Sequence, residues 1–368
     1  MKLEASERVR SNPITAIFTL LPMALLGIAD RTEPQSAGEE LLTTDNAYNP
    51  IPSPDGKYIA YVRTGWGEGI VTSFGRSSLV SDVKLVNAQG LPAPRTLAKK
   101  YFLSGWTPDS TQLVCYRDGK YALVAMDGKR STEARIPNKP DEHPSTEWAA
   151  YSPSLATILW SRRVEETHGA IETPSSLIVR EERFQDRVVP SPDGRYLALF
   201  GQFPQTDLRV YDLRLKSWAD FGRISIHPDD NWWYIQPNWN PWFADGSRLV
   251  FLRDSMLVIS TPDGAEKTEI QIEGPAGLPV PSPNGQLVAY VRFEPRPMGS
   301  RSDLQFWGGT TILVVPVSAG AKPRALTMKN HDEVYDLKWL ENGMLVFDRV
   351  ADATFYAHAR VLKVSVPQ

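Results

Sequence analysis

Residues 52–63 read PSPDGKYIAYVR, and six further segments follow the same plan: WTPDSTQLVCYR (106–117), YSPSLATILWSR (151–162), PSPDGRYLALFG (190–201), WFADGSRLVFLR (242–253), PSPNGQLVAYVR (281–292) and WLENGMLVFDR (339–349). Each runs from a short strand into a turn centred on Asp-Gly, Asn-Gly or a relative. A run of apolar residues follows, and an Arg usually closes it. Asp-Gly and Asn-Gly supply the positive φ angles of a two-residue hairpin turn. The Pro two residues before the Gly sets φ for the turn and forbids helix. Stretches such as YIAYV, LVAYV and RLVFL are apolar on both faces, which fits strands whose sheet is covered on both sides.

Working outward, most of these hairpins are followed by a second one: SDVKLVNAQG (81–90), YALVAMDGKR (121–130), TDLRVYDLRL (206–215), SMLVISTPDG (255–264) and TILVVPVSAG (311–320). Two hairpins make a four-stranded sheet. The turn residues Asp55, Asp109, Ser154, Asp193, Asp245, Asn284 and Asn342 recur about every 48 residues, the length of a propeller blade. The pattern predicts an all-β chain with a single β-propeller of seven four-stranded blades; six blades is the alternative, with 151–162 or 339–349 as the impostor. The last unit offers only three strands, and EELLTT (39–44) supplies a fourth. Such an N-terminal strand closes the last blade and removes free sheet edges.

The Ser-Pro-Asp-Gly motif, followed by two further residues, an aliphatic pair and a second hairpin, resembles the WD-like repeat of the TolB family. It is also similar to the propellers of prolyl oligopeptidase-class peptidases. The resemblance covers about residues 40–366 and implies the fold. It implies no activity, because the α/β domain of TolB proteins and the hydrolase domain of the peptidases have no counterpart here.

Composition agrees with a folded chain. Of 368 residues, 42% are hydrophobic and 23% charged, with 30 Pro and 11 Trp. A net charge of −3 argues against a nucleic-acid partner. Residues 1–29 have the layout of a signal peptide, with a weakly positive start and an uncharged stretch ITAIFTLLPMALLGIA (14–29). Gly27 and Ala29 would precede the cut. An uncleaved membrane anchor is the alternative. Residues 30–38 then form a linker and 39–368 the propeller, with a periplasmic or extracellular location.

No G-x-S-x-G, H-E-x-x-H, Walker or EF-hand pattern occurs. The histidines (His143, His168, His227, His331 and His358) lack ligand spacing, and Asp229 and Asp230 near His227 read as a solvated loop. The single Cys115 reads as a small buried hydrophobe. No cofactor and no metal are expected. Long insertions follow the second strand at 64–80, 163–175, 293–309 and 350–358, all on one face, and such a face is where repeat proteins bind. Arg63, Arg117, Arg162, Arg253, Arg292 and Arg349 end the second strands and form a ring beneath those loops. They either pair with carboxylates of neighbouring blades or make an electropositive rim. Trp66 and Trp307 in the long loops, with Trp232 and Trp233, are candidates for contact with a partner; Trp242 belongs to the core. These features point to a non-catalytic binding module of the cell envelope that takes a protein or peptide on the long-loop face. A propeller-fold hydrolase or lyase acting on a saccharide is the alternative.

Overall fold

The computed structural model describes residues 39–43, 46–64, 81–90, 92–117, 120–135, 149–163, 168–182, 187–200, 205–225, 239–295, 309–327, 333–350 and 359–366. Every regular element among them is a β-strand.

The first strand, β1 (Glu39–Leu41), is only three residues long. Next come β2 (Ala47–Pro52), β3 (Tyr58–Thr64), β4 (Ser81–Asn87) and β5 (Arg95–Ala98), which pair in that order as one antiparallel sheet. The same up-and-down order repeats in β6 (Phe102–Trp106), β7 (Gln112–Arg117), β8 (Lys120–Ala125) and β9 (Arg130–Arg135). It repeats again in β10 (Ala149–Ser152), β11 (Thr157–Arg163), β12 (Gly169–Glu172) and β13 (Leu177–Glu181).

A seven-stranded sheet follows. It holds β14 (Arg187–Pro190), β15 (Tyr196–Phe200), β16 (Gln205–Asp212), β17 (Ser217–Ser225), β18 (Leu249–Arg253), β19 (Met256–Ser260) and β20 (Lys267–Gln271). Among the described residues, the ladder between its two parts is the single pair Ser225 and Leu252. Among the described residues, the inner position before β18 shows a single bridge, Trp242 to Leu249. Then come β21 (Ala276–Pro281), β22 (Leu287–Phe293), β23 (Thr310–Pro316) and β24 (Arg324–Ala325) in one sheet. Last are β25 (Glu333–Trp339), β26 (Met344–Val350) and β27 (Ala359–Ser365), with β1 paired to β27 through Glu39–Val364, Glu40–Lys363 and Leu41–Leu362.

The strands are apolar on both faces because each sheet is packed on both sides. Ala60 and Val62 join a cluster with Leu103, Leu113 and Cys115 of the next sheet. Their alternates Ile59 and Tyr61 join Leu340, Val346 and Val361 of the last one. A period of two sends successive side chains to opposite faces, so one strand serves two interfaces. Cys115 sits in this packing at 0% exposure, and burial pushes its thiol up to about 12.

The hairpin turns differ from a two-residue loop. In the first, Gly56 N donates to Ser53 O and Ser53 N to Tyr58 O, which makes a four-residue connection. Only the glycine has positive φ, +68°. The Asp contributes its carboxylate instead: Asp55 Oδ1 accepts from Ser53 Oγ at 2.6 Å and from Lys57 N at 3.1 Å. Ser-Asp or Thr-Asp pairs repeat this at Thr107–Asp109, Ser191–Asp193 and Thr261–Asp263, and Ser282–Asn284 does so with an amide. The hydroxyls of Ser53, Thr107 and Thr261 hold Asp55, Asp109 and Asp263 below the usual carboxylate range. The predicted insertion at 163–175 is also shorter than expected. Residues 169–172 are the strand β12, too short and too glycine- and proline-flanked to register as one.

These turns touch one another. Asp55 N donates to Ser110 Oγ at 2.9 Å, and Ser154 Oγ donates to Gly194 O at 2.7 Å. A Cβ on Gly246 would lie 2.8 Å from Asp193 Oδ1, and one on Gly56 would lie 2.9 Å from Glu341 Cβ. The last turn therefore abuts the first. At Gly194 (φ +73°) an added Cβ would stand 2.8 Å from Ser154 N, whereas at Gly343 (φ +79°) it meets nothing within 4 Å. Gly343→Ala is expected to cost only the left-handed penalty, about 1–2 kcal/mol. Gly194→Ala adds a backbone clash and is expected to cost about 1–3 kcal/mol more. Equal losses in denaturant titration would refute the turn-to-turn contact.

Candidate functional site

The inner strands and their turns enclose a cavity of about 390 Å³, within the range of small-ligand sites. Its wall is contributed by all seven turn-bearing segments and is layered. Pro54, Pro192, Ala244, Pro283 and Glu341, beside the turns, form the rim. Two residues deeper stands a collar of Pro52, Trp106, Tyr151, Pro190, Trp242, Pro281 and Trp339. The next layer is Ile51, Gly105, Ala150, Val189, Val280 and Lys338, and Arg187 and Trp239 lie deepest along their segments. The cavity thus opens on the Asp-Gly face.

The collar is held by its indoles. Trp106 Nε1 donates to Ile51 O, Trp242 Nε1 to Val189 O and Trp339 Nε1 to Val280 O, each at 2.9 Å. In each case the acceptor belongs to the preceding turn segment, directly before a collar proline. Trp239 Nε1 likewise donates to Pro279 O at 2.7 Å. Ser53 and Ser282 give their hydroxyls to Asp55 and Asn284 of their own turns. These four indoles and two hydroxyls in the wall are therefore already engaged. Apart from the phenol of Tyr151, the remaining side-chain surface of the collar is carbon.

The deep end is charged. Lys338 Nζ lies 3.5 Å from Asp336 Oδ1, with side-chain exposures of 12% and 2%. Burial pushes Lys338 below the usual lysine range, against the pull of Asp336 and Asp348 and with a smaller push from Arg187. Asp348 accepts from Asn49 N at 3.2 Å and Asp336 N at 2.6 Å. Asn49 also donates from Nδ2 to Leu103 O at 3.1 Å, so it links the last, first and second sheets. Its φ of +54° is one that Asn tolerates better than most residues. Lys338 and Arg187 line the cavity, and Asp336 and Asp348 do not.

The arginines of the sequence pattern have defined partners. Arg162 forms a fork with Glu172 at 2.7 and 3.0 Å, and Arg292 pairs with Glu294 at 3.0 Å. Arg349 forms a fork with Glu39 at 2.6 Å on both arms. Arg253 donates to Phe221 O at 3.1 Å and stands 3.8 Å from Glu269. The carboxylates belong to the arginine's own sheet or its flanking loop, not to a neighbouring sheet. Arg63, next to the last residue of β3, stands opposite Asp82. The side chain of Arg117 and all of Trp66, Trp232, Trp233 and Trp307 lie outside the described residues, as do most of the long loops. Among the described residues, no group of three or more His, Cys, Asp or Glu is placed to hold a metal ion. The cavity has no signature in the sequence pattern, although Trp106, Trp242 and Trp339 all stand in the repeat segments.

Neither a family model nor a curated protein matches the chain. Solved structures do. An oligogalacturonate lyase in complex with manganese is similar over 91% of this chain and 96% of its own, at 13% identity and a TM-score of 0.58. The oligogalacturonate lyase of Vibrio parahaemolyticus is similar over 90% and 94%, at 10% identity and 0.59. The Cps50 (Swd1) β-propeller domain of Myceliophteria thermophila is similar over 89% and 99%, at 13% identity and 0.55. At such identities the likeness is one of fold, and the fold is a β-propeller.

Proposed function

We propose that this propeller is a non-catalytic binding module, and that it takes an apolar segment of a protein partner into the axial cavity on its Asp-Gly face. One observation carries the reading: a wall of prolines and tryptophans whose indole N–H groups already donate to backbone carbonyls. A sugar brings many hydroxyls, and each one buried without a partner costs about 1–3 kcal/mol. An apolar segment brings none. The similarity to two oligogalacturonate lyases favours the second reading, an enzyme acting on a saccharide.

The finer architecture belongs to the same proposal. Seven blades follow if the seven-stranded sheet is two consecutive blades, supported by its single joining pair. Closure by β1 is supported by its pairing with β27. The TolB-like character rests on the Ser-Pro-Asp-Gly repeat, and export to the cell envelope rests on residues 1–29. An intact Met1 on protein in the cytosolic fraction would refute the export.

Gly105 offers the test of function. It lies in the cavity wall, and a Cβ there meets nothing within 4 Å. Gly105→Trp is expected to fill the cavity, abolish capture of the partner from envelope extract and leave the melting temperature within about 3 °C. Capture that survives the filled cavity overturns the reading. Release of unsaturated uronides from oligogalacturonate by the parent protein, lost in the variant, would establish the enzyme instead.

A further inference from the structure

We propose that the cavity takes the free carboxyl end of a partner polypeptide whose last residues are apolar or prolyl. This rests on the reading of the cavity as a protein-binding site and names what enters it. In the layer of Ile51, Gly105, Ala150, Val189 and Val280, the one charged residue is Lys338. Arg187, 6% exposed, lines the deep end from a different sheet. The carboxylates that offset this charge, Asp336 and Asp348, are each 1% exposed and form no part of the wall. Asp348 spends both oxygens on backbone amides. Inside the rim, where Glu341 stands, the charged side chains of the wall are Lys338 and Arg187, and Asp336 and Asp348 form no part of it.

The rest of the wall decides what carries that anion. Carbon surface at the collar suits apolar and prolyl side chains. A carboxylate drawn out of water needs paired charge to offset its lost hydration, and charge-assisted bonds to Lys and Arg supply it. A volume of about 390 Å³ lies at the small end of the range for ligand sites. That suits the end of a single extended chain, and is small for one that must enter, bend at an internal Asp or Glu, and leave. Capture of a terminal carboxylate is a general mode of peptide recognition.

The test uses the full folded chain and a display library of random heptapeptides with free carboxyl ends. Selected sequences are resynthesised as acid and amide, and binding is read by tryptophan fluorescence. Acids are expected to bind at least about tenfold more tightly than their amides. Lys338→Met is expected to bring the pair within about twofold; should that variant fold poorly, the acid-to-amide ratio on the parent protein decides. Equal binding of acid and amide, lost for both in Gly105→Trp, overturns the carboxylate and leaves the apolar cavity standing. No selection at all, or selected peptides that still bind Gly105→Trp, overturns the cavity itself.

Discussion

Glu39→Ala is expected to destabilise the chain by about 3–5 kcal/mol, the usual loss when one partner of a buried ion pair is removed. Glu39 and Arg349 form a two-armed bond with side-chain exposures of 0% and 8%, across 310 positions of sequence. Losing the carboxylate leaves a guanidinium buried beside Phe347 with its charge unmet. Glu40→Gln is the contrast. Its pair with Lys363 is 3.0 Å long, but Glu40 is 55% exposed, so the loss is expected to stay under about 1 kcal/mol. Guanidinium titration of the two variants separates them. Equal effects would show that Arg349 reaches water when β1 lets go. Removing residues 38–46 is expected to be worse than either substitution.

The second large effect is at Trp239. Its indole is 1% exposed, packs edge-on against Phe200 at 5.0 Å and donates to Pro279 O in the next sheet. Trp239→Ala is expected to cost about 3–5 kcal/mol through the cavity it leaves. Trp239→Phe keeps most of the volume but strands a buried carbonyl, and is expected to cost about 1–3 kcal/mol. A silent Phe variant in thermal melting would mean that packing alone holds these sheets together.

The repeat was open to reading because each unit is local. PSPDGKYIAYVR carries its own turn and its own two-faced strand, and the structure uses both. The turn chemistry was less visible. Asp-Gly suggested two residues with positive φ, whereas Asp55 acts as an acceptor for Ser53 and Lys57 in a longer connection. The arginine partners are local: Glu172 lies on the strand beside Arg162, and Glu294 lies just past the end of β22. The cavity was hidden because no local stretch contains it. Each segment gives only a few residues to the wall, so Lys338 in DLKWL reads as an ordinary polar strand position. Only the three-dimensional arrangement brings it to the same cavity as Val189 and Arg187.

The Glu39–Arg349 fork also fixes an order of events during synthesis. At about 5–20 residues per second, Glu39 emerges roughly 15–60 s before the arginine it needs. Until then its strand is a three-residue stub with two negative charges, a poor template for stray edge pairing. The acids that later pair with Arg349 and Lys363 first keep that stub from sticking to a neighbour on the same messenger.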